Sequence, residues 1–95
     1  MLGEHGDALA LRALALAELR DFDRAEAAID AAREAGATPA WLAIERARIH
    51  ELADDVPRAL AVTEAAIEES PRYHGLASTR AHLLAALGRL RSGER

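Results

Sequence analysis

Apolar positions recur every three or four residues along this 95-residue chain, in stretches separated by short breaks rich in Asp, Gly, Ser or Pro. That period belongs to helices with one buried face. Asp7, after Gly6, is placed to cap a first helix running to about Arg20, and Asp21 to cap a second ending at Gly36, a residue suited to the left-handed conformation past a helix end. A third helix is expected from Pro39 to Ala53. Asp55 caps a fourth, with Pro57 in its first turn, and that helix ends near Glu69, before Ser70-Pro71. The fifth, His74 to Leu90, carries Leu76, Leu83, Leu84, Leu87 and Leu90 at helical spacing. The expectation is an all-α domain of about five helices.

The pattern also repeats. The stretch DFDRAEAAIDAA (21–32) is followed 34 positions later by DVPRALAVTEAA (55–66), and residues 6–39 align with 40–73 without a gap. Identical pairs include Arg12/Arg46, Ala13/Ala47, Asp21/Asp55, Arg24/Arg58, Ala25/Ala59 and Ala32/Ala66. Arg80-Ala81 continues the frame into 74–91, so one Arg-Ala pair occurs three times in register. A fixed period of this length marks a stack of helix pairs that bury their apolar faces against one another. Within 21–32, Ala25 and Ala32 are expected where helices approach most closely, with Phe22 and Ile29 filling the gaps. Ala27 and Ala28 are expected to matter less.

The 34-residue helix-turn-helix unit resembles the tetratricopeptide repeat. Ala13, Ala47 and Ala81 stand at the family's small position in the first helix; Ala25/Ala59 and Ala32/Ala66 stand at its small positions in the second. Phe22 and Val56 match the apolar site before the second helix, and Pro71 matches the closing proline. Leu9, Ala43 and Ala77 replace a common tryptophan, Leu16, His50 and Leu84 a common tyrosine, and Arg12, Arg46 and Arg80 a usual leucine. The resemblance implies a single right-handed helix-pair solenoid of two and a half repeats (6–39, 40–73 and a partial repeat or capping helix, 74–91). Its first helices would line a concave groove that binds a peptide or helix of a protein partner.

The groove positions implied are Asp7, Ala10, Leu14 and Ala17 from the first helix, Trp41, Ile44, Arg48 and Glu51 from the third, and Gly75, Ser78 and His82 from the fifth. Trp41, Arg48 and His82 are the expected anchors, because Trp and Arg combine large contact area with directed polar groups. A clamp of lysines and asparagines around a C-terminal carboxylate is not expected, since the chain has neither residue. The row Arg12, Arg46, Arg80 is expected to lay its stems along neighbouring helices and offer its heads to carboxylates such as Glu45, Asp30 or Glu64.

Composition narrows the chemistry. The absence of cysteine excludes disulfides and thiolate metal sites and fits a reducing cytoplasm. Twenty-four alanines, and arginine as the sole basic residue, match the bias of a GC-rich bacterial genome. A formal net charge of −4 disfavours nucleic acid as partner, and the longest apolar-rich run, Ala8 to Leu19, is broken by Arg12 and Glu18, so no membrane segment is expected. His50 and Asp54 share a helical face but lack a third ligand. No nucleophile context or phosphate loop occurs, so neither catalysis nor a cofactor or metal is expected. Charge divides unevenly: residues 1–70 hold seven arginines against fifteen carboxylates, whereas 71–95 hold five arginines against Glu94. A stripe formed by Leu83, Leu84 and Leu87 on the last helix is a candidate for self-association, through which the chain would form a homodimer. The rival to a peptide-binding module is therefore an oligomerisation or regulatory segment of a larger bacterial protein, such as a transcriptional regulator.

Overall fold

The computed structural model describes residues 2–93, with burial and side-chain contacts from Gly6 onward. Five helices follow in order, α1 (Leu2–Glu18), α2 (Phe22–Glu34), α3 (Pro39–Leu52), α4 (Val56–Glu69) and α5 (Leu76–Arg91), with no strand among the described residues. The fold is all-α. Two expected boundaries move. Helix α1 begins at Leu2, which leaves Asp7 exposed inside the helix and not at its cap. Helix α5 begins at Leu76, three residues later than the register of α3 would place it.

The turn within each helix pair is the same structure twice. Arg20 and Asp54, 34 residues apart, both adopt the left-handed conformation (φ 66° and 61°). The amide after each donates back five residues, Asp21 N to Leu16 O at 2.9 Å and Asp55 N to His50 O at 2.8 Å, which satisfies a carbonyl that the helix end would leave unpaired. Each aspartate then caps the next helix. The Asp21 carboxylate accepts the Arg24 amide at 3.4 Å, and that of Asp55 accepts the Arg58 amide at 3.2 Å.

The turns between pairs differ. Gly36, at φ 96°, lets the Ala37 amide return to Ala32 O at 3.1 Å, and Pro39 opens α3 directly. Ser70 stands at the corresponding place before Pro71, which disfavours helical backbone for it; Ser70 leaves the helical region (φ −138°, ψ 66°), and the chain re-enters helix only after Gly75. Gly75 has φ 101°, and a Cβ there would lie 3.3 Å from Ile44 Cδ1. The backbone conformation is what calls for glycine, while Ile44 would have to give only slightly to a Cβ.

Helices α1 and α2 pack together, as do α3 and α4, and α4 and α5. Helix α3 also touches α2, and α1–α3 and α3–α5 are in direct contact, whereas α2 and α4 do not meet. The molecule measures 46 × 32 × 14 Å between Cα extremes. Its core falls into two clusters. The first is built of Ala10, Ala13, Ala17, Ala25, Ala28, Ile29 and Ala32 from α1 and α2, with Leu42 and Ile49 of α3. The second joins Ala47, Val56 and Ala59 to Leu83 and Ala86 of α5. Ala28 is buried, contrary to expectation, because it lies three residues after Ala25 and four before Ala32 and so shares their face.

Candidate functional site

A cleft of about 320 Å³ opens between α3 and α5. Ile44, Arg48 and Glu51, spaced i, i+4 and i+7, present one face of α3 to it, and Ser78 and His82, four apart, present one face of α5. Ala47, Thr79 and Leu83 complete the lining. The structure thus brings together five of the side chains expected in a groove. Two others lie elsewhere: Leu14 and Trp41 are half-buried against the first core cluster. Ala10 and Ala17 are fully buried in that cluster and line no open surface, because the face of α1 that carries them packs on α2.

The cleft is bridged at one point, where His82 Nε2 lies 2.7 Å from Glu51 Oε2. Thr79 spends its hydroxyl on the Gly75 carbonyl, 2.9 Å away, which fixes the first turn of α5. The Arg48 head is largely exposed and stands 3.9 Å from Glu45 Oε2. Glu45 itself is buried, its Oε2 has no hydrogen-bond partner, and burial pushes its carboxyl above the ordinary value, with Arg48 partly opposing the shift. Ile44 and Leu83 supply apolar surface and Arg48 an accessible guanidinium. The cleft can therefore take an aliphatic side chain beside a carboxylate or a carbonyl.

A second cleft, of about 230 Å³, lies where α2 and α4 part over α3. Ala40, Ala43, Ala65 and Ala66 line it, and their small side chains leave the room. Arg33, Arg46, Glu69 and Ser70 line it as well.

The arginine row is structural at two of its three positions. Arg46 donates to Asp30 Oδ1 at 2.6 Å and Glu26 Oε1 at 3.1 Å, and 34 residues later Arg80 lies 3.5 Å from Glu64 Oε2. Arg12 is exposed. His50 is buried with its Nε2 3.6 Å from Glu26 Oε1, and burial holds its pKa below the ordinary value, more strongly than Glu26 raises it. Asp54, its expected companion, turns instead to Arg20, 4.0 Å away. Arg20 also donates to the Leu52 carbonyl at 2.7 Å and lies over the Phe22 ring, which ties the turn of one pair to that of the next. No cluster of three or more His, Cys, Asp or Glu able to hold a metal occurs among the described residues, and none of the helices there is long and apolar enough to cross a membrane.

On α5 the candidate stripe divides. Leu83 is buried in the second core cluster and leaves the exposed surface, Leu87 is half-buried against that cluster, and Leu84 is exposed.

Sequence reasoning offered Glu45 to the arginine row and missed its burial; it stands by Arg48 instead. Its signal was present, because Leu42, Glu45 and Ile49 share one face of α3 and both apolar members join the first cluster. Comparison with protein-family models, curated proteins and solved structures gives no match, so any function is argued from these residues alone.

Proposed function

We propose that the chain is a tetratricopeptide-like interaction module that binds a peptide or helix of a protein partner in the α3–α5 cleft and carries out no catalysis. In this reading α1–α2 and α3–α4 are two full units and α5 begins a third. The observation that carries the reading is the cleft itself, where Ile44, Arg48 and Glu51 face Ser78 and His82. The 34-residue recurrence of turn, cap and cross-helix ion pair supports the repeat frame from which those positions follow. The ligand best suited is a segment with an aliphatic side chain next to an acidic one, its carboxylate meeting Arg48.

A displayed peptide library selected against the whole chain tests this. Selected peptides are expected to be enriched in such pairs, to shift the backbone amide resonances of Ile44, Ser78 and His82, and to bind Arg48→Ala about tenfold more weakly, the loss of one charge-assisted contact. Trp41→Ala, which removes a residue packed away from the cleft, is expected to lower stability and leave peptide affinity unchanged. Peptides that perturb the α2–α4 cleft instead, or bind Arg48→Ala equally well, would sink the proposal.

A further inference from the structure

The two end helices carry exposed apolar stripes unrelated to the cleft. On α1 and the first residue past it, Ala8, Leu11, Ala15 and Leu19 lie on one face at spacings of three and four, and all are exposed; Leu11 and Leu19, at 65% and 77%, are the most exposed large apolar residues described. On α5, Ala77, Ala81, Leu84 and Gly88 lie on one face at the same kind of spacing, also exposed. Ala81 corresponds to Ala13 and Ala47, which are fully buried in the preceding units. Leu11 corresponds to Glu45, buried on the face of α3 that joins the first cluster. At the centre of each stripe, then, stands a position that its equivalent elsewhere in the molecule keeps covered.

Shape and charge say which surface would cover which. The α1 stripe projects two leucines, whereas the α5 stripe is mostly alanine and glycine, a shallow surface with room for them. A Cβ added at Gly88 would meet nothing within 4 Å. Asp7, Arg12 and Glu18 border the α1 stripe, and α1 as a whole has three carboxylates and one arginine. Arg80, Arg89 and Arg91 border the α5 stripe, and α5 has no carboxylate at all. Pairing α5 with a second α5 would gather six arginines, and pairing α1 with α1 would gather carboxylates. Only α1 against α5 sets leucines on small residues and acids beside arginines.

The geometry points to head-to-tail association, in which the outer face of α5 receives the outer face of α1 from a second copy of this chain. Such a contact joins two different surfaces, so each added copy leaves one α1 and one α5 free and the assembly does not close at two. It uses neither the cleft nor Arg48, and Arg48→Ala is expected to leave it intact, which separates its failure from failure of the peptide-binding reading.

Sedimentation velocity on the whole chain tests it. The wild-type protein is expected to show a weight-average mass that climbs with concentration past that of a dimer. Leu11→Glu and Leu84→Glu alter exposed residues, so helicity by circular dichroism should match wild type, and each alone should remain monomeric. Mixed in equal amounts they should form a species of twice the monomer mass that grows no further, because Leu11→Glu keeps a sound α5 and Leu84→Glu keeps a sound α1. A wild-type chain that stays monomeric at every concentration overturns the proposal. So does a Leu11→Glu protein that dimerises by itself, which would mean a two-fold α5 pairing, and so does a mixture that yields no dimer.

Discussion

The α1–α2 and α3–α4 pairs share a frame, a turn and a cap, yet different chemistry fills the space inside them. Between α1 and α2, buried positions go almost wholly to alanine, with Ile29 the one large side chain fully enclosed. In the second pair Ala47 and Ala59 keep the closest approach, but Glu45, His50 and Thr63 are buried as well. Thr63 meets its need locally by donating to the Ala59 carbonyl at 2.9 Å, and His50 stands by Glu26. Glu45 Oε2 has no hydrogen bond, only the Arg48 head 3.9 Å away. The repeat thus specifies where helices touch and how they turn, and leaves polarity at the remaining positions to the individual unit.

The largest effect should come from breaking what the pairs share. Ala25→Leu and Ala59→Leu insert three carbons where the native side chain is fully buried, and each should lower unfolding free energy by about 1–3 kcal/mol in urea titrations. Ala28→Leu should behave alike. Ala27→Leu and Ala61→Leu, on exposed positions, should stay within about 0.5 kcal/mol of wild type. Equal costs at Ala25 and Ala27 would refute the frame.

The next effect sharpens what the pairs do not share. Glu45→Met, which removes a buried carboxylate whose Oε2 has no hydrogen bond, should stabilise the protein at neutral pH by roughly 1–2 kcal/mol. The sign of its pH dependence follows from linkage. Because the folded-state pKa of Glu45 is raised from 4.5, its contribution is present below that value and lost as pH rises through the folded pKa. The advantage of Glu45→Met should therefore shrink toward acid and grow from pH 4.5 upward. His50 acts oppositely: its pKa is lowered from 6.5, so its contribution is present above 6.5 and lost as pH falls. His50→Gln should flatten the acid side of the stability profile. A Glu45→Met gain that does not vary with pH would mean that Glu45 ionisation is not its source.

Features set by neighbours in sequence were legible. The Asp21 and Asp55 caps, the burial of Ala25 and Ala32 and the Pro39 helix start all follow from local chemistry in a fixed register. Features set by what lies across a gap were not. Five leucines at helical spacing on α5 do not reveal which face meets α4, and so Leu83, expected on the exposed stripe with Leu84, is buried while Leu84 stays exposed. Nor does a small residue in the family position declare itself covered: Ala81 matches Ala13 in register yet lies exposed, because no second helix follows α5 among the described residues. The cleft was partly legible for the same reason. Positions on α3 and α5 that face each other came through the frame, while Trp41 and Leu14 went to the core.

The smallest effect tests how far equivalence between units extends to energy. Arg46 and Arg80 occupy one frame position, and each reaches back to a carboxylate on the preceding helix. Arg46 holds two, Asp30 at 2.6 Å and Glu26 at 3.1 Å, with its side chain 26% exposed. Arg80 holds one at 3.5 Å with both partners half exposed, since the residue 34 after Glu26 is Leu60. Water screens the second pair more fully, and a single long contact returns little of the side-chain entropy spent in holding it. Arg46→Met should therefore cost about 1 kcal/mol, and Arg80→Met no more than about 0.3 kcal/mol. High salt should narrow the gap by weakening the Arg46 pairs. Equal costs would mean that the contribution resides in the arginine stem packed along the helix, common to both units, and that the carboxylates add nothing to it.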